Sequence, residues 1–151
     1  MNEARPDQTA EVTSTGSAPV SRSARHRVLL VEDHAALAEA TAELLGFHGL
    51  EVRVATTGGD ALAMTREFDP VLILCDMMLP DMSGLDVAQA VRATHGSNDV
   101  LIAVCSAMRA DDLREIERHT KTRGIDLFLS KPLTNDTLIG LLPRLEALRP
   151  C

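Results

Sequence analysis

Four apolar runs in this chain each lead into a charged or hydroxyl side chain, and that repetition leaves few folds open. Val28-Leu29-Leu30-Val31 leads into Glu32-Asp33, and Val71-Leu72-Ile73-Leu74-Cys75 leads into Asp76. Val100-Leu101-Ile102-Ala103-Val104-Cys105 leads into Ser106, and Leu127-Phe128-Leu129 passes through Ser130 to Lys131. A nearly unbroken apolar run is the pattern of a parallel strand buried on both faces. Ligands of open parallel sheets bind beyond the carboxyl ends of the strands, which is where these residues fall. Three acids, a hydroxyl and an amine are therefore expected to share one crevice.

Helix signals fill the spaces between the strands. Leu37, Thr41, Leu44, Leu45 and His48 keep helical spacing, and Gly49 is placed to close that helix. Glu51-Val52-Arg53-Val54-Ala55 alternates as an outer strand does. Thr57-Gly58-Gly59-Asp60 and Ser83-Gly84-Leu85-Asp86 both have capping-box spacing and open the second and third helices. Asp69-Pro70 ends the second helix, and Asp111 or Asp112 opens a fourth. A last helix follows Thr134, with Leu138, Leu141, Leu142 and Leu145 as its apolar stripe. Pro143 and Gly140 interrupt that stripe, so the pattern predicts a kink near residues 139–143 or an early end to the regular helix. Strand and helix alternate five times. Right-handed crossovers then give a doubly wound α/β sandwich.

The chain has 151 residues, enough for one domain with a real core. Residues 1–25 are rich in Ser, Thr, Ala, Glu and Pro and read as a disordered tail. Those residues contain no signal-peptide core, and no apolar stretch reaches membrane-spanning length, so a cytoplasmic location is expected. A net charge of −7, with three Phe and neither Trp nor Tyr, argues against direct nucleic-acid binding, which needs clustered cations and stacking surfaces. Cys75 and Cys105 read as small core hydrophobes, while Cys151 is expected to be exposed.

The chemistry rests on Asp76. Alone it fits a nucleophile, a metal ligand or a structural cap. An aspartate can accept a phosphoryl group as an acyl phosphate, but both partners are negative, and a divalent cation bridging their oxygens removes the repulsion. Mg²⁺ prefers oxygen ligands, and Glu32, Asp33 and Asp76 are a plausible supply. Lys131 would add a mobile positive charge beside the phosphoryl group, and Ser106 a hydroxyl that bonds one of its oxygens. No His near Ser106 in sequence points to a hydrolase dyad.

With these residues assembled, the chain resembles the receiver domain of bacterial two-component response regulators of the single-domain chemotaxis type, over residues 26–148, leaving 149–151 as a short tail. The matching residues are Val31-Glu32-Asp33, Asp76 through Gly84, Ser106-Ala107 and Lys131-Pro132. The resemblance implies a flavodoxin-like sheet of strand order 2-1-3-4-5. It implies that Asp76 accepts a phosphoryl group from a phosphohistidine on a sensor kinase or phosphotransfer protein. Glu32, Asp33, Asp76 and the backbone carbonyl of Met78 would hold Mg²⁺, with Ser106 and Lys131 on the phosphoryl oxygens and a cis Lys131-Pro132 bond. Ser106 and Phe128 would form the switch, with Phe where the family commonly has Tyr. Downstream, an unknown protein would dock on the face built by the fourth helix, fifth strand and fifth helix.

Two departures fall on that face: Pro143, and a longer segment between Ser106 and Lys131, around His119 to Arg123. Met78 and Met108 would flank the path of a hydrolytic water and slow self-dephosphorylation, unless both are loop methionines turned outward. His34 stands at the crevice mouth or is a solvated loop residue.

Four other readings compete. An aspartate-nucleophile phosphatase would need a second acid where Met78 stands, and a flavodoxin would need a phosphate-cradling loop after strand one. Thr56-Thr57-Gly58-Gly59 looks suitable for such a cradle but follows strand two. A receiver fold that signals without phosphorylation is the strongest rival, as is service as a phosphate sink or relay intermediate.

Overall fold

The apolar runs form the centre of a five-stranded parallel sheet. The computed structural model describes residues 26–94, 100–107, 109, 111, 112, 114, 115, 118 and 124–147. The strands are β1 (Arg27–Val31), β2 (Glu51–Ala55), β3 (Leu72–Asp76), β4 (Leu101–Ser106) and β5 (Leu127–Ser130), in the order β2-β1-β3-β4-β5. Every pairing is parallel. This is the order 2-1-3-4-5 that the resemblance implies. The helices α1 (Ala35–Phe47), α2 (Gly58–Phe68), α3 (Gly84–Thr94) and a C-terminal helix (Asn135–Glu146) cover the sheet. Residues 111, 112, 114, 115 and 118 are helical too, where a fourth helix was expected to open.

Side chains alternate across each strand, so one sheet serves two cores. Val28, Leu30, Leu72, Leu74 and Ala103 face α1 and the C-terminal helix, meeting Leu45, Leu138, Leu141 and Leu145. Leu29, Val31, Ile73, Ile102 and Val104 face α2 and α3, meeting Ala61, Val87, Ala88 and Val91. Leu29, Ile73 and Ile102 show no solvent exposure at all. Burying each such side chain stabilises the fold by roughly 1.5–3 kcal/mol.

The helix ends follow the expected chemistry. Gly49 takes φ +83°, the left-handed turn that lets the chain leave α1. Asp69, also left-handed at φ 52°, caps α2 before Pro70. Ser83 and Asp86 complete a capping box on α3: the Asp86 N–H donates to Ser83 Oγ (3.1 Å) and the Ser83 N–H to Asp86 Oδ2 (3.3 Å). Thr134 caps the C-terminal helix by accepting from the Thr137 N–H.

That last helix does not end early. It continues through Pro143 to Glu146. Pro143 lies on the exposed side, while Leu138, Leu141 and Leu145 remain buried and hold the helix to the sheet. A proline facing water leaves its orphaned upstream carbonyl open to solvent, which softens the penalty expected in a buried interior.

Arg92, at the end of α3, ties three separate segments together. Its Nε donates to the Gly124 carbonyl (2.8 Å), Nη1 to the Val100 carbonyl (2.8 Å) and Nη2 to Asp126 Oδ2 (2.5 Å). Asp126 Oδ2 also accepts from the Ile102 N–H at 2.8 Å. Truncation would strand these acceptors around a site where the Arg92 side chain is only 12% exposed. We therefore expect Arg92→Ala to lose about 2–3 kcal/mol, the range for hydrogen bonds to a charged group. Urea denaturation measures this, and a variant as stable as wild type would show the clasp to be dispensable.

Candidate functional site

Strand register brings the polar residues to one level. Val31 pairs with Cys75, Asp76 with Cys105, and Ser106 with Ser130. The residues just after β1, ending β3 and β4, and just after β5 therefore gather at one edge of the sheet. Glu32, Asp33, His34, Asp76, Ala107 and Lys131 line an open crevice there.

Carboxylate oxygens of Glu32, Asp33 and Asp76 lie within 4.8 Å of one another. Glu32 is almost fully buried at 4% exposure, while Asp33 is exposed. Lys131 supplies the counter-charge: Nζ donates to Glu32 Oε1 at 2.6 Å and lies 3.2 Å from Asp76 Oδ2. Burial alone would pull the Lys131 pKa down. The bonds to Glu32 and Asp76 outweigh it and hold the ammonium above its ordinary value. The second oxygen of Glu32 accepts from the His34 N–H at 3.2 Å.

Backbone contacts fix the loop ends that carry these groups. The Lys131 N–H donates to the Ser106 carbonyl (2.7 Å), and Lys131-Pro132 is cis as the resemblance implies. The Met77 N–H donates to the Cys105 carbonyl and the Gly84 N–H to the Met77 carbonyl, both at 2.8 Å. A Cβ on Gly84 would stand 2.5 Å from the Asp76 carbonyl oxygen, so only glycine lets α3 start this close to β3.

The other expected residues divide. Ser106 is buried at the end of β4, and Phe128 is half-buried on β5, packed against the core shared with α2 and α3. Met78 turns outward, with 75% of its surface exposed, which is the loop alternative weighed for it above. Met108, Cys151, residues 1–25, residues 119–123 and residues 148–150 lie outside the described residues. His34 is at the crevice mouth, with a task that spacing did not suggest: its Nδ1 accepts from the Leu37 N–H at 3.3 Å and caps α1. Cys75 and Cys105 are buried free thiols on opposite faces of the sheet. Burial pushes the Cys105 thiol up to about 12 and Cys75 higher still, so neither is a nucleophile at neutral pH.

Sequence reasoning missed Asp81. Its Oδ1 accepts from the Gly58 N–H (2.8 Å) and its Oδ2 from the Gly59 N–H (2.9 Å), at the start of α2. These bonds hold its carboxyl below the usual aspartate range. The Gly58-Gly59 pair does cradle an anion, one that the chain itself provides.

With this geometry in view, comparison with known proteins is decisive. Residues 28–142 match the model of the response regulator receiver domain. The chain belongs to that family. It is 41% identical over 116 residues to the DNA-binding response regulator MtrA of Mycobacterium tuberculosis, covering 77% of this chain and 48% of MtrA. It is 33% identical over 116 residues to the cell cycle transcriptional regulator CtrA of Caulobacter vibrioides, covering 76% of this chain and 47% of CtrA. The chain thus spans about half the length of these relatives. Among solved structures, chemotaxis protein CheY4 of Vibrio cholerae superposes with a TM-score of 0.72 at 27% identity, covering 81% of this chain and 99% of that one. A CheY-like receiver domain from Methanospirillum hungatei gives 0.71 at 26%, covering 82% and 95%. Two-component signalling is therefore the chain's setting, and a signalling domain rather than a metabolic enzyme its class. Among the described residues, no helix is long and apolar enough to cross a membrane.

Lys131 is the group whose removal the site should feel most. Lys131→Met leaves the buried Glu32 carboxyl without its partner, a change that costs about 3–5 kcal/mol when such a pair is broken. We expect metal-free stability to fall by that order, and Mg²⁺ to restore part of the loss. Calorimetric melting with and without Mg²⁺ measures both, and an unchanged metal-free melt would refute Lys131 as the counter-charge.

Proposed function

We propose that Asp76 accepts a phosphoryl group from a phosphohistidine of a sensor kinase or phosphotransfer protein, and that the chain signals by phosphorylation-dependent contact with a protein partner. The observation that carries this reading is the joint placement of Glu32, Asp33, Asp76 and Lys131 at one crevice, with Lys131 bonded to two of the acids. In the transfer, the phosphorus–nitrogen bond of the donor breaks as an Asp76 carboxylate oxygen bonds phosphorus. Water later cleaves the acyl phosphate, returning the carboxylate and inorganic phosphate.

The three carboxylates suit Mg²⁺, a hard cation that takes oxygen ligands, with the Met78 carbonyl as a further protein ligand. Bound there, Mg²⁺ would offset the negative charge of the carboxylate and the incoming phosphoryl group. Lys131 then has a second task. Its ammonium is near enough to Asp76 to move from the carboxylate to a phosphoryl oxygen with little travel. Ser106 bonds another phosphoryl oxygen, and Phe128 follows its movement, so the pair forms the switch.

We further propose that the receiver works in the cytoplasm, and that its partner reads the face that includes β5 and the C-terminal helix. A receiver that signals without phosphorylation is the rival. Stoichiometric acyl-phosphate formation with acetyl phosphate and Mg²⁺, abolished in Asp76→Asn, is the expected result. No label on wild-type protein would favour the rival. Mg²⁺ binding to the native state alone should also raise the melting temperature, by about 2.7 kcal/mol of stability at one hundred times its Kd. Equal melting with Mg²⁺ and with chelator would count against the metal site.

A further inference from the structure

The loop after Asp76 is bonded through its backbone at the root and seated by two side chains, Asp81 and Met82, at its tip. At the root, the Met77 N–H donates to Cys105 of β4 and its carbonyl accepts from the Gly84 N–H, while Met78 pairs with Ser83 in a short antiparallel bridge. Across the turn, the Leu79 N–H donates to the Met82 carbonyl at 3.2 Å. Beyond that, the tip at residues 80–82 reaches away from the sheet and meets the start of α2.

There, Asp81 and Met82 make a two-part seat. The Asp81 carboxylate takes the N–H groups of Gly58 and Gly59, one on each oxygen. Met82 fills the space where a Gly58 Cβ would be, with its Cγ 2.4 Å and its Sδ 2.6 Å from that position. Thr57 Oγ1 takes the next N–H, from Asp60, at 3.0 Å. Three of the donors that a helix start leaves open are thus used within the protein, two of them by a residue 22 and 23 positions away. The negative carboxylate also lies at the positive end of the helix.

We propose that Asp81 is a positioning residue for the phosphoacceptor site: by anchoring the loop tip to α2, it holds the Met78 carbonyl where a metal ion on Asp76 needs it. This rests on the proposed Mg²⁺-dependent chemistry at Asp76. Asp81 does not touch the reacting atoms. Its influence passes through the backbone of Leu79 and Pro80, so its loss loosens the Met78 ligand and leaves the carboxylates in place.

The test compares full-length wild type with Asp81→Ala and Asp81→Asn. The asparagine keeps one acceptor oxygen and presents an N–H₂ to the other amide, so it sits between the extremes. Three quantities are read: hydrogen exchange of the Gly58 and Gly59 amides, Mg²⁺ affinity by titration calorimetry, and melting without metal. In Asp81→Ala both amides should lose protection and Mg²⁺ should bind about ten-fold more weakly, the low end for losing a residue that orients a metal ligand. Asp81→Asn should fall between, and at saturating Mg²⁺ both variants should accept phosphoryl groups from acetyl phosphate at near wild-type rates. Should Asp81→Ala fail to fold, Asp81→Asn carries the comparison. Variants that melt lower yet bind Mg²⁺ like wild type would give Asp81 a purely structural role and overturn the proposal. Wild type that binds no Mg²⁺ would overturn the functional reading and this inference with it.

Discussion

Carboxylates do not gather at one edge of a protein without a counter-charge, and Lys131 provides it. Its ammonium bonds Glu32 and lies beside Asp76, so strands β1, β3 and β5 are joined electrostatically where their backbones diverge. A buried pair of this kind is weak evidence for stability, since desolvation offsets attraction. Its importance is to place an ammonium against a carboxyl that is only 4% exposed, at the crevice a cation would enter. Lys131 offsets part of the cluster's charge, and the three acids still outnumber it. An incoming cation meets a lysine that already occupies part of the negative field, so metal binding and the position of Lys131 are coupled.

Everything around that pair serves to fix heights and directions. The strand pairings set the level of Asp76 against Ser106 and Lys131. Gly84 allows α3 to begin against the Asp76 carbonyl, and the Ser83–Asp86 capping box fixes that beginning. The two-faced core supplies rigidity, because each strand residue is packed from one side or the other. Cys75 and Cys105 contribute there as volume, their thiols kept protonated by burial.

Much of this was legible in the sequence, for physical reasons. A strand buried on both faces must be apolar throughout, so β1, β3 and β4 announce themselves, and the polar residue after each marks its end. Caps are local: Thr57, Ser83 and Thr134 lie three residues from the N–H they satisfy, and spacing alone finds them. What stayed hidden depends on distant partners. Asp81 meets Gly58 across 23 residues and Arg92 meets Gly124 across 32, and no local pattern encodes either meeting. The capping role of His34 escaped notice because imidazole is an uncommon cap. Of the two outcomes expected at Pro143, the early end does not occur, since the proline's cost depends on which side of the helix it faces and only the packed structure decides that.

The Arg92 clasp also bears on how this chain can change in length. It grips Val100 before β4 and Gly124 and Asp126 before β5, while the Asp126 carboxylate reaches back to Ile102. The downstream end of the connection from β4 to β5 is therefore held by the clasp and its upstream end by the β3–β4 pairing, whatever number of residues lies between. Closing a longer connection across a fixed span costs only about 0.6 kcal/mol for each doubling. Insertions there can accumulate without shifting Lys131 or the strand that leads to it. Such a segment is free to diverge from relative to relative, while the chemistry it borders stays put.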